Sequence, residues 1–159
     1  MWIIGVGNRY RGDDGAGPAV LDRLAGRLPA GVDLVELAGE PTGLLTAWEG
    51  ADAVWIVDAV ASPAPPGTVH RVEVADRPLS GAIFGSVGST HALGLADAVE
   101  IGRALGQLPA LLVVYGIRGR DFAAGTELDP GVRTAVDTVA DAVRAEVRQF
   151  GEVAPVVGP

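Results

Sequence analysis

Two hydrophobic patterns alternate along the chain, and their order describes a fold. Continuous apolar runs at Trp2 to Val6, Ala53 to Val57 and Leu111 to Ile117 have the length and character of buried strands. Val32 to Leu37 and Thr68 to Val74 alternate apolar with polar residues, as half-covered strands do. Between them apolar residues recur at helical spacing. Val20, Leu21, Leu24 and Leu28 share a helix from Ala16 to Leu28, with Pro18 in its first turn. Leu95, Val99 and Leu105 mark another helix, ending near Gly106 and capped by Ser89 or Thr90. Val132, Val136, Val139, Val143, Val147 and Phe150 line one face of a long helix that Asp129-Pro130 opens and Gly151 closes. Thr42 is read as the cap of a short helix through Trp48, and Leu79 to Gly88, which has no period, as a loop.

The strand–helix alternation breaks once. The link ASPAPPG, Ala61 to Gly67, is too short to hold a crossover helix, so the strand that follows runs antiparallel to the one before it. The pattern predicts a three-layer α/β/α fold with a mostly parallel, twisted five-stranded sheet and one antiparallel strand. One domain is expected over residues 1–150, with 151–159 as a frayed C-terminal tail.

Composition removes whole classes of chemistry. With no cysteine, disulfides, thiolate metal sites and cysteine nucleophiles are excluded; with no lysine, so are Schiff bases and the Walker lysine. A formal charge of −8 with scattered arginines argues against a nucleic-acid partner. No apolar run is long enough to span a membrane, and Met1 leads directly into a core strand, so a cytoplasmic location and no membrane partner are expected.

In sheets of this kind ligands bind outside the carboxyl ends of the strands. The first strand delivers GVGNRYRGDDGAG, Gly5 to Gly17, to that rim. Gly5 and Gly7 fit a dinucleotide fingerprint, but its third glycine position is Tyr10, and Asp13 and Asp14 would repel a pyrophosphate. Asp58 ends the third strand, and His91 follows Ser89-Thr90 at a helix start. Each has an ordinary structural reading: Asp14 as a helix cap, Asp13 as a solvated loop charge, Asp58 as a turn residue and His91 as a helix-start residue. His70, in an alternating strand, reads as exposed. Taken together, Asp14, Asp58 and His91 make an open site suited to zinc, nickel or iron, or a set able to polarise a water. No G-x-S-x-G elbow or H-E-x-x-H motif is present.

GVGNRYRGDDGAGP, VDAV at Val57 to Val60, the Pro66-Gly67-Thr68 turn, STH at Ser89 to His91 and VYGI at Val114 to Ile117 follow one another at telling intervals. In that order and spacing the chain resembles the [NiFe]-hydrogenase maturation endopeptidases, from about Met1 to the last helix. The resemblance implies a hydrolase of aspartyl or metal-dependent type. Its task would be to remove a short C-terminal peptide from the nickel-loaded precursor of the hydrogenase large subunit, the expected partner. It implies a five-stranded sheet between helical layers with one antiparallel strand. It also implies catalytic and metal-contacting roles for Asp14, Asp58 and His91. The nickel is expected to come with the precursor rather than as a cofactor of the enzyme's own, and zinc or cadmium could stand in for it. Asp14 stands where the family often has Glu. Ala38 to Gly43 replaces a Gly-Gly-Thr type turn, and Ala92 stands where relatives often have glycine.

Two other readings remain beside this one: a chaperone that binds metal or precursor without cleaving, and a general aminopeptidase-like or spore-type peptidase. Arg9 with Arg11, and Arg118 with Arg120, are candidates to grip a substrate carboxylate or are solvated charges. Asp13 is a possible route to activating the attacking water.

Overall fold

The computed structural model describes residues 1–75, 77–84 and 94–153. Five strands form one sheet: β1 (Trp2–Val6), β2 (Asp33–Leu37), β3 (Ala53–Val60), β4 (Val69–Glu73) and β5 (Leu111–Arg118), in the spatial order β2-β1-β3-β5-β4. All neighbours are parallel except β4 and β5. The short link after β3 does reverse the chain, as its length requires. Yet β4 does not pair with β3, because β5 enters between them and leaves β4 at the sheet edge.

The side chains of β3 alternate between two apolar layers. Trp55, Val57 and Ala59 pack under α1 (Ala16–Leu24) and α5 (Pro130–Val153). Val54, Ile56 and Val60 pack on the other side with α2 (Pro41–Trp48), the single turn α3 (Gly81–Phe84) and α4 (Leu95–Ala104). A strand buried on both faces is apolar along its buried length, which is why β1, β3 as far as Val57 and β5 as far as Ile117 read as unbroken runs.

Several boundaries differ from the sequence reading. Helix α1 stops at Leu24 because Ala25 turns extended, with ψ 126°, while Leu28 still packs on the core from the loop beyond. Helix α2 starts at Pro41 after an extended Glu40, so Thr42 lies inside it rather than capping it. The stretch read as a loop contains the helical turn α3. Helix α5 continues through Gly151 to Val153, so that glycine does not end it, and residues 154–159 lie outside the described residues. Helix α4 begins with the Gly94 N–H donating to the Asp97 carboxylate at 2.9 Å; Ser89 and Thr90, the expected caps, lie outside the described residues.

One carboxylate ties α5 to three strands. Glu146 accepts from Trp55 Nε1 of β3 at 2.9 Å, from Arg71 Nε of β4 at 2.8 Å and from the Tyr115 hydroxyl of β5. Burial works against its charge, but the Arg71, Tyr115 and Trp55 donors outweigh this and hold its pKa below the ordinary value. Removing the acceptor leaves the donors of the buried Trp55 and Tyr115 without it, while the exposed Arg71 keeps water. Glu146→Ala is therefore expected to cost about 3 kcal/mol in chemical denaturation, and Glu146→Gln, which keeps one acceptor, clearly less.

Candidate active site

The rim of the sheet is assembled where β1 runs into a 3-10 turn, Gly12–Gly15, that leads directly into α1. The chain doubles back so tightly that a Cβ on Gly7, whose φ is +134°, would lie 1.9 Å from the Asp14 carbonyl oxygen. Only glycine fits there. The Asn8 side chain accepts the Tyr10 N–H at 2.9 Å, and the Asn8 N–H donates to Asp14 Oδ2 at 3.0 Å. The glycines of this loop thus serve a backbone turn that places a carboxylate at the rim.

The two adjacent aspartates meet opposite environments. Asp14 keeps a fifth of its side chain exposed, with Arg11 Nη1 at 3.9 Å from Oδ2. Its pKa is raised by burial, an effect offset in part by the Asn8 N–H and the Arg11 charge. Asp13 is fully buried, and its carboxylate accepts three backbone N–H groups, from Arg120, Asp121 and Asp129. The reading of Asp13 as a solvated loop charge is therefore wrong: the side chain turns inward to a segment more than a hundred residues away.

Asp58 lies inside β3 rather than at its end, because the strand continues to Val60. Burial, and then the charge of Asp14, push its pKa up to about 8, with the Ala59 N–H pulling the other way. The two carboxyls read from the sequence as one site thus feel each other in the fold. His91 lies outside the described residues. Among the described residues no cluster of three His, Cys, Asp or Glu side chains is placed to hold a metal ion.

His70 is not the exposed strand residue it was read as. It is half-buried, with Nε2 3.1 Å from the hydroxyl of the buried Ser62. Asp58 and His70 both stand in register with Gly116, so their positions share one face of the sheet, flanking that glycine. This lateral relation depends on β5 inserting between β3 and β4, which no local motif announces.

The candidate arginines are mostly committed elsewhere. Arg9 forks between Asp22 of α1, at 2.7 and 3.0 Å, and Glu36 of β2, at 2.8 and 2.9 Å. It fastens the loop to two elements and has no donor face left for a substrate carboxylate. Arg118 Nε donates to the Ser62 carbonyl, and the exposed Arg120 stands 3.6 Å from Asp129.

Comparison with known proteins adds a decisive observation. The family model described as HycI, hydrogenase maturation protease, matches residues 19–146. The chain belongs to the hydrogenase maturation protease family. The matched span contains Asp58 but begins after Asp14. Similar relatives of this protease family include the hydrogenase 2 maturation protease of Escherichia coli, 28% identical over 94% of this chain and 91% of its own. Another is the hydrogenase expression/formation protein HupD of Rhodobacter capsulatus, 30% identical over 94% of this chain and 71% of its own. The solved structure of the E. coli hydrogenase maturating endopeptidase HybD superposes with a TM-score of 0.78, covering 94% of this chain and 93% of that one at 28% identity. The hydrogenase maturation protease fold thus agrees with the sheet and its one antiparallel strand, and the chain is a peptidase.

The raised pKa of Asp58 has a thermodynamic sign. The native state holds this proton up to about pH 8, whereas the unfolded chain releases it near its ordinary value of 3.8. Between those limits the native state binds more protons, so stability falls as pH rises. Asp58→Asn is expected to remove that loss. It should raise the thermal midpoint clearly at pH 8 and leave it nearly unchanged at pH 4. Melting curves of both proteins across that range test this.

Proposed function

We propose that the protein removes a short C-terminal peptide from the precursor of a [NiFe]-hydrogenase large subunit, and that cleavage waits for the nickel carried by that precursor. The observation that carries the reading is the coupled pair of rim carboxyls. Burial and the charge of Asp14 drive Asp58 toward its protonated form, and a divalent cation between them would reverse both effects. Oxygen donors with an imidazole are borderline ligands suited to nickel. Asp14 and Asp58 supply the oxygens in this proposal, and His91, assigned by the resemblance, supplies the imidazole.

The nickel is part of the substrate. Docking of the loaded centre on Asp14, Asp58 and His91 brings the scissile peptide bond to the rim. Water then adds to its carbonyl carbon, the C–N bond breaks, and the new amine leaves with the proton. An unloaded precursor offers no cation to this acidic rim and docks poorly. In the isolated protein zinc or cadmium would occupy the same atoms. This reading puts the reaction in the cytoplasm.

A mass-spectrometric cleavage assay on nickel-loaded and nickel-free precursor tests the proposal. Release of the C-terminal peptide is expected from loaded precursor only, and Asp14→Asn, Asp58→Asn and His91→Ala are each expected to slow it by at least about 100-fold. Release regardless of nickel would overturn the gating. A stable complex with precursor that never changes mass would replace cleavage by a holding role.

A further inference from the structure

Asp13 carries a geometry that the reaction as described does not use. Its Oδ2 accepts the N–H of Arg120 at 2.6 Å and of Asp121 at 3.0 Å, and its Oδ1 accepts that of Asp129 at 2.7 Å. Its own N–H donates to the Asp121 carbonyl at 2.8 Å, and the Gly125 N–H donates to the Tyr10 carbonyl at 2.9 Å. Four hydrogen bonds at Asp13 and one at Tyr10 therefore join the turn bearing Asp14 and the residues before it to residues 120–129. The two segments are also in steric contact: a Cβ on Gly12, whose φ is +54°, would lie 2.2 Å from Thr126 Oγ1 and 2.4 Å from the Asp121 carbonyl oxygen.

We propose that Asp13 is a positioning residue for the cleavage reaction, setting the place of the Asp14 carboxylate by locking the 3-10 turn to the β5–α5 connection. This rests on the functional reading above. Asp13 is 0 % exposed and its oxygens already serve three donors, so it meets neither substrate nor attacking water. Successive side chains of a 3-10 turn point about 120° apart. With Asp13 turned into the connection, Asp14 is turned to the rim, where the Asn8 N–H receives it. An amide at position 13 would set its NH2 against a backbone N–H and release the turn. A displacement of about 1 Å in a positioning group costs on the order of 100-fold in rate.

The test compares wild type, Asp13→Asn, Asp14→Asn and the double variant on nickel-loaded precursor, well below each melting midpoint, with hydrogen exchange on each protein. Asp13→Asn is expected to lower kcat by about 100-fold and to lose amide protection at Arg120, Asp121 and Asp129. The double variant is expected to be no slower than Asp14→Asn alone, because both changes act through one carboxylate. A lower melting midpoint with unchanged kcat would reduce Asp13 to a structural role and overturn the proposal. Multiplying single effects would also overturn it, since Asp13 would then act independently of Asp14. If Asp13→Asn does not fold, Arg120→Pro removes one donor and keeps both carboxylates. A kcat drop of about 10-fold is then expected, and an unchanged kcat overturns the proposal. A wild type that does not cleave fails the functional reading itself, and the role of Asp13 in that reaction falls with it.

Discussion

A carboxylate sealed from water must find its hydrogen bonds inside the protein, and Asp13 finds three of them in one backbone segment. An unsatisfied charge there would cost several kcal/mol, so the turn after β1 and the connection after β5 are held in a single relative arrangement. Much of the rim's geometry depends on this. The turn fixes where α1 begins and where Asp14 points, while the connection fixes the approach to α5. Glu146 does similar work farther along α5, gathering donors from β3, β4 and β5. Two carboxylates, each satisfied by groups distant in sequence, thus hold the α5 layer and the rim together.

Asp14 and Asp58 show the reverse arrangement. Each is raised above its ordinary pKa by burial, and Asp58 is raised further by its neighbour's charge. A site selected for stability alone would replace one of them with an amide. In a fold that satisfies Asp13 so fully, the rim is thus a place where carboxyls are held at a cost in stability. Neighbouring residues of identical chemistry, Asp13 and Asp14, are thereby sorted into a buried, fully hydrogen-bonded carboxylate and a partly exposed one by where the backbone turns them.

The fold was legible because its central strands are buried on both faces and so are apolar without interruption, as Ala53 to Val57 and Leu111 to Ile117 are. The reversal at β4 was legible from a link too short for a helix. Its place at the edge was not, because that depends on β5, which enters the sheet some forty residues later. The same long-range step hid the relation of Asp58 to His70 across Gly116. Asp14 and Asp58 were legible as rim residues from their position after apolar runs. Asp13 and Arg9 were misread because their partners, residues 120–129 in one case and Asp22 with Glu36 in the other, leave no trace near them in the sequence. Burial of a charged side chain is a tertiary fact, and composition assigns such residues to the surface by default.

The shorter side chain of Asp14, where the resemblance suggests glutamate, can now be weighed by its reach. The backbone at Asp14 cannot retreat from the rim, since its carbonyl presses on Gly7 and the adjacent Asp13 is fastened to the connection. The length of the side chain alone then decides how far the carboxyl extends. The charge of Asp14 is nonetheless second only to burial in raising Asp58. Such an influence means that the two carboxyls are near enough at the rim for their charges to interact. One methylene fewer thus leaves Asp14 and Asp58 electrostatically coupled.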